Sequence, residues 1–239
     1  MSLPDPRPGK EHRNPRLGSI TYTVRAPLAA WLQEEAARAA SDFGRYRVLD
    51  VGCGIKPYQP FFEPRADEYV GVDVDNPAAD LRGTVESLPV ADGSFEVVLC
   101  TQVLEHTPSP ARAVAELARV VAPGGRVLAS THGVQVFHPN PDDFWRWTHS
   151  GLERLFAENG DWSSVTVRPA SGTTACVGMI LSIYADAFFR RLHARPLGRP
   201  LIAALNGTAR AIDARVPSLR EPVPGSLFAN YHVVAEAAK

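Results

Sequence analysis

The chain has 239 residues and a mass of 25.9 kDa, enough for one sizeable core and short for two enzyme-sized domains. Hydrophobic residues at 45% and charged residues at 21% exclude wholesale disorder, and 25 Lys+Arg against 26 Asp+Glu leave a net charge of -1, which argues against nucleic acid as a general partner. The cysteines Cys53, Cys100 and Cys176 are odd in number and form no CxxC, so neither a disulfide framework nor a metal site is expected. The N-terminus MSLPDPRPGKEHRNPR has no apolar run, and no stretch reaches the roughly 18 uninterrupted apolar residues of a spanning helix. The expectation is a soluble protein of a reducing, cytoplasmic compartment.

Residues 1–18 are rich in Pro, Arg and Gly and read as a loose arm. Leu28, Trp31, Leu32, Ala36 and Ala39 recur at helical spacing and predict a helix over 25–43, so that 1–44 is arm plus helix and 45–239 the main domain. VLDVGCG (48–54), EYVGVDVD (68–75), FEVVLCT (95–101) and GRVLASTH (125–132) are short, continuous β-rich runs, as in strands buried on both faces. Between the last two, PARAVAELARVVAPGG predicts a helix stopped by Pro123-Gly124-Gly125. Strands alternating with helices imply an α/β fold with a parallel sheet covered on both faces. After His132 comes an aromatic, turn-rich loop, then a helix over about 148–160 and alternating strands at 163–169 and 229–237. A helical insertion of about 173–216 separates these two strands.

The chemistry is concentrated in Asp50-Val51-Gly52-Cys53-Gly54. Glycines directly after a buried parallel strand let the chain turn sharply and let a ligand approach the backbone. The next strand ends at Asp73, 19 residues after Gly54, where a carboxylate can accept hydrogen bonds from ribose hydroxyls. A nucleoside cofactor is therefore expected. The third glycine of a dinucleotide fingerprint is absent, since Pro57 takes its place, and no GxxxxGK[ST] loop occurs.

VLDVGCG, VGVDVD, SLPVADGSFEVVLCTQVLEH and ELARVVAPGGRVLAS, in this order over about 46–132, resemble class I S-adenosylmethionine-dependent methyltransferases. The resemblance implies a Rossmann-like, seven-stranded, mostly parallel sheet and S-adenosyl-L-methionine as cofactor. It implies that Gly52, Cys53 and Gly54 pass beneath the methionine portion with Asp50 near its ammonium group, although Asp50 can equally brace the loop. Asp73 would bind the ribose, Val74 would pack on the adenine, and Thr84 and Val85 would lie in the adenine-edge loop. Thr101 and Gln102 would line the sulfonium end. Two positions depart from the pattern: Lys56 replaces a common third loop glycine, and Thr84 replaces a common Asp.

On the acceptor side, no (N/D/S)PP(Y/F/W) follows the VVLC strand, which argues against amino-methylation of nucleobases or glutamine amides as that motif achieves it. A small or carrier-linked acceptor methylated at oxygen is expected. His106, His132 and His138 are candidate bases, and a structural hydrogen bond is an equal reading for His106. Tyr22, Arg25, Asp143, Trp145 and Arg146 are candidate acceptor contacts. The segment Pro141-Asp142-Asp143-Phe144-Trp145-Arg146-Trp147-Thr148 resembles one in bacterial methyltransferases associated with glycan or cell-envelope biosynthesis, and its Asp/Arg pair can instead hold the loop together. The helix beginning near Cys176 has a basic end that suits an anionic membrane surface. Packing on the core, on a partner copy or over the acceptor pocket is the preferred reading. A catalytically inactive, cofactor-binding regulatory protein is the alternative to an enzyme.

Overall fold

The computed structural model describes residues 7–239 except Asn140. Its centre is a seven-stranded sheet in the order β3-β2-β1-β4-β5-β7-β6. The strands are β1 (Tyr46–Val51), β2 (Ala66–Asp73), β3 (Leu81–Arg82), β4 (Phe95–Thr101), β5 (Val121–His132), β6 (Trp162–Pro169) and β7 (Asn230–Ala237). The first five run parallel, and β7 is antiparallel to both β5 and β6. The helices are α1 (Lys10–Arg13), α2 (Tyr22–Phe43), α3 (Gln59–Phe62), α4 (Pro110–Val120), α5 (His149–Glu158), α6 (Thr173–Arg191) and α7 (Arg195–Arg215). A 3₁₀ turn over Pro217–Arg220 follows α7.

The central strands carry apolar residues at consecutive positions because both faces of the sheet meet a hydrophobic layer. Leu49, Val98, Cys100 and Val127 face a layer with Ala113 and Leu117 of α4 and Leu152 and Phe156 of α5. Their neighbours Val48, Val97, Leu99 and Leu128 face Leu28, Leu32 and Ala36 of α2 on the other side. The chain order reverses between β1 and β4, and ligand crevices of such sheets open at this switch point, beyond the strands' carboxyl ends.

Three elements differ from the sequence expectation. The helix α4 ends at Val120, and Val121 is already extended and paired with Phe95, so β5 begins before the Pro-Gly-Gly run rather than after it. The two-residue β3 carries no hydrophobic pattern and exists only through Val72 and Asp73 of β2. The N-terminal segment folds back as α1: Arg13 Nη1 donates to the Pro57 carbonyl at 2.6 Å, and His12 meets Tyr58 edge-on with ring centroids 6.4 Å apart. From residue 7 onward it is thus part of the body beside the β1 turn, not a loose arm.

Candidate active site

The β1 strand ends in a turn whose backbone fixes the site. Gly52 has φ 66° and Gly54 φ 48°, and a Cβ at Gly52 would collide with Val103 Cγ2. Only glycine combines that conformation with that approach. Gly52 and Cys53 donate their N–H groups to Val72 O, at 2.8 and 3.1 Å, and Gly54 N donates to Asp73 Oδ2 at 3.0 Å. Lys56 takes the left-handed conformation with φ 53°, and its ammonium pairs with Asp80 at 2.6 Å. This ion pair, with Asp80 also accepting from Gly71 N at 2.7 Å, holds Lys56 in place beside the turn.

Two cavities meet at this turn. One, of about 700 Å³, is lined by Gly52, Asp73, Val74, Thr84, Val85 and Gln102, among others. The second, of about 600 Å³, is lined by Gly52, Cys53, Gly54, Thr101, Gln102, His106, His132 and His138, together with Arg25 of α2 and Met179 and Ile183 of α6. Gly52, Asn76, Gln102 and His106 border both. Gln102 is held there with φ 58°, its amide donating to Ser130 Oγ at 2.9 Å and Asn230 Oδ1 at 3.2 Å. A non-glycine residue kept in this region reflects strain that the surrounding contacts sustain.

The first cavity offers a carboxylate at Asp73 and an apolar surface at Val74, 50% exposed beside the buried Val85. That pairing suits a ribose next to a flat base. Cys53 is buried, and its burial pushes the thiol up to about 12, so it forms wall and not nucleophile. Asp50 lines neither cavity. It is buried behind the turn, accepts a 2.7 Å hydrogen bond from Tyr69 Oη, and its burial lifts the carboxyl to about 7.

The three histidines converge, with ring centroids 5.5 to 6.4 Å apart. Among the described residues no group of three His, Cys, Asp or Glu side chains is arranged to hold a metal. Their surroundings set them apart. His106 Nδ1 lies 2.5 Å from the Asp142 carbonyl, which can only accept, so the ring carries its proton there and leaves Nε2 as an acceptor. His132 is buried, and burial with Arg146 nearby pushes it down to about 3. Its Nε2 sits 3.3 Å from Oε1 of Glu105, a fully buried carboxyl lifted to about 7 by burial and anchored by Thr131 Oγ1 at 2.7 Å. Both groups are thus driven towards their uncharged forms. His138 is exposed, and its backbone N–H donates to Asp143 at 2.8 Å.

Of the acceptor contacts expected from the sequence, Arg25 lines the second cavity and the other four line neither. Tyr22 turns to α7, its hydroxyl accepting from Arg210 at 3.0 Å. Asp143 and Arg146 form a bidentate pair at 2.5 and 2.7 Å, and Arg146 also donates to the carbonyls of Gln135 and Val136, at 3.2 and 2.9 Å. The pair holds the loop together. Trp145 stacks on Trp147 and donates to Thr107 O at 2.8 Å. The walls also include His12, Tyr58, Gln135, Met179 and Ile183, none singled out by number from the sequence, although packing over the acceptor pocket is among the expectations for the insertion that carries Met179 and Ile183. They come from α1, the residue before α3, the loop after β5 and α6, and no local motif marks them. Glu105 differs, because its place beside His106 in Leu104-Glu105-His106 was a usable signal.

Residues 49–129 match the family model described as a methyltransferase domain. The chain is 41% identical over 107 residues to an uncharacterized methyltransferase of Mycobacterium sp. (strain JLS), covering 40% of this chain and 42% of that one. It is 34% identical over 114 residues to a ubiquinone biosynthesis O-methyltransferase of Hahella chejuensis, covering 41% and 46%. The chain thus spans less than half the length of these curated relatives. The crystal structure of the YcgJ protein from Bacillus subtilis has the same fold, with a TM-score of 0.51 at 18% identity over 88% of this chain and 99% of that one.

Proposed function

We propose that this protein is an S-adenosylmethionine-dependent methyltransferase that methylates a hydroxyl oxygen on a small or carrier-linked acceptor. The observation that carries the proposal is the meeting of the two cavities at Gly52, Gln102 and His106. One side suits a nucleoside, and the other ends in a histidine of fixed tautomer. The matched methyltransferase domain and the O-methyltransferase relative support the same reading.

Asp73, Val74, Thr84 and Val85 would hold the nucleoside, and Gly52, Cys53, Gly54, Thr101 and Gln102 the methionine end. Bound S-adenosylmethionine supplies a methyl group already activated by its sulfonium, so the chain's main task is alignment. A hydroxyl must also lose its proton. His106 Nε2 accepts it as the oxygen takes the methyl group, and the Asp142 carbonyl steadies the proton already on Nδ1. The buried Glu105–His132 pair lines the acceptor cavity, with burial driving both groups towards their uncharged forms. Arg25, Met179 and Ile183 line it as well, with one cation among apolar side chains.

Two measurements test this. Calorimetry with S-adenosylmethionine and S-adenosylhomocysteine should give binding of both, and no binding at millimolar concentration would sink the reading. Labelled S-adenosylmethionine incubated with extract fractions should then yield a methylated small or carrier-linked product. Label mainly in protein or RNA would overturn the acceptor class, and binding without turnover would leave a regulatory protein.

A further inference from the structure

The α6–α7 hairpin is strongly basic. Residues 173–216 hold six arginines against two aspartates and no other charged residue, a net charge of +4 in a chain whose total is -1. Asp186 is taken by Arg195, at 3.1 Å. Asp213 is taken by the start of α6, where it accepts from Ala175 N at 3.0 Å and from Thr174. Arg190, Arg191 and Arg199 stand exposed around the hairpin's tip, and among the described residues none is paired with a carboxylate.

The same hairpin leaves apolar side chains in water. The inner side of α6 packs Cys176 and Met179 with Val24 of α2 and Ala229. A second side meets α7, where Gly178 approaches Ala209 and Phe189 covers Gly198. The remaining side carries Val177, Leu181, Tyr184 and Phe188 at helical spacing, with the last three 51%, 66% and 59% exposed. On α7, whose other side is tied to the N-terminal segment through Asn206 Nδ2 and the carbonyls of Leu17 and Ser19, Leu197 and Leu201 are exposed as well. A stripe of aliphatic and aromatic side chains beside unpaired arginines has the composition of an interfacial helix. No helix of the described residues is long and apolar enough to cross a membrane.

We propose that the α6–α7 hairpin is a docking surface for an anionic lipid bilayer: Leu181, Tyr184 and Phe188 enter the acyl boundary, and Arg190, Arg191 and Arg199 meet the head groups. Charge decides against a second copy as the occupant, because symmetrical pairing through this face would bring the two arginine clusters together. Met179 and Ile183 of the same α6 line the acceptor cavity, so docking sets that cavity beside the bilayer, where a lipid-linked acceptor would be held. That last step rests on the methyl-transfer reading; the docking itself does not.

The test is co-sedimentation of the full chain with vesicles of phosphatidylcholine alone and of phosphatidylcholine mixed with phosphatidylglycerol. Wild-type protein is expected to bind the anionic vesicles preferentially and to lose binding as salt is raised. The double variant Arg190→Gln/Arg191→Gln should lower the partition coefficient about tenfold or more, as should Phe188→Ser. Circular dichroism and S-adenosylhomocysteine calorimetry check that the variants fold, with Tyr184→Ser used if Phe188→Ser does not. Absence of binding, equal binding to both vesicles, or variants that bind like wild type would overturn the proposal. So would a dimer in the ultracentrifuge that Phe188→Ser dissolves. Vesicle binding without S-adenosylhomocysteine binding would retain the docking surface and remove the methyltransferase reading.

Discussion

His106 donates its Nδ1 proton to the carbonyl oxygen of Asp142 across 2.5 Å, and this one bond leaves Nε2 as the ring nitrogen available to act as a base, on a residue that borders both cavities. His132 and His138 border only the acceptor cavity. His132 is also pressed against Glu105, and His138 lies exposed. His106→Gln should therefore lower the methyl-transfer rate constant by about 10²–10⁴-fold while leaving S-adenosylhomocysteine affinity within about twofold of wild type. Single-turnover kinetics beside calorimetry separate the two quantities. A variant of unchanged rate would move the base elsewhere.

Asp73 has two duties. Its carboxylate accepts from Gly54 N at 3.0 Å and from Asp75 N and Asn76 N at 3.3 Å, and it borders the nucleoside cavity. Asp73→Ala should weaken cofactor binding by about 1–3 kcal/mol, through the lost ribose contact and the loosened turn together. Asp73→Asn keeps an acceptor oxygen and should lose less. Equal affinity for Asp73→Ala and wild type would mean that the ribose lies elsewhere.

The Asp50 carboxyl makes a pH prediction of definite sign. Its folded value of about 7 lies above the ordinary 3.8, so the folded state binds its proton more tightly. The group costs nothing while protonated in both states, below pH about 4, and its penalty on folding grows as pH rises towards 7. Asp50→Asn should remove that penalty and keep an oxygen for the Tyr69 hydroxyl. Relative to wild type, the variant should gain about 3 kcal/mol in unfolding free energy between pH 4 and pH 7. Urea unfolding at a series of pH values checks it, and a difference independent of pH would contradict the burial of an ionisable Asp50.

The Asp143–Arg146 pair makes a prediction about the acceptor loop. Arg146 neutralises Asp143, whose carboxyl it holds far below the usual range, and ties down the carbonyls of Gln135 and Val136. Arg146→Met should increase amide exchange over 133–147 and lower kcat/KM for the acceptor by roughly tenfold, with cofactor affinity unchanged. A rise in cofactor Kd of the same size would show that the loop serves the cofactor instead.

The sequence by itself determined the sheet's central strands and the glycine turn at their carboxyl edge. Val48-Leu49 and Val97 to Cys100 are apolar without alternation, because the layers on both sides of the sheet are hydrophobic, and such runs are visible one residue at a time. The Gly52–Gly54 turn and Asp73 were legible for the same local reason: a tight turn and a strand-end carboxylate each depend on a few consecutive residues. What only the tertiary structure decided are matters of direction. Tyr22 lies one helical turn from Arg25, yet it reaches Arg210 while Arg25 reaches the cavity, because α7 packs against one side of α2 and the cavity opens on another. Asp50 turns to Tyr69 because β2 lies beside β1 in parallel register, and Leu181, Tyr184 and Phe188 stay in water because α7 covers only one side of α6. The choice of His106 among three histidines likewise depends on a carbonyl 36 residues away in the chain. A side chain's periodicity shows that it has a face, but its partner is set by segments distant in sequence, so the acceptor wall and the exposed stripe appear only once those segments are packed.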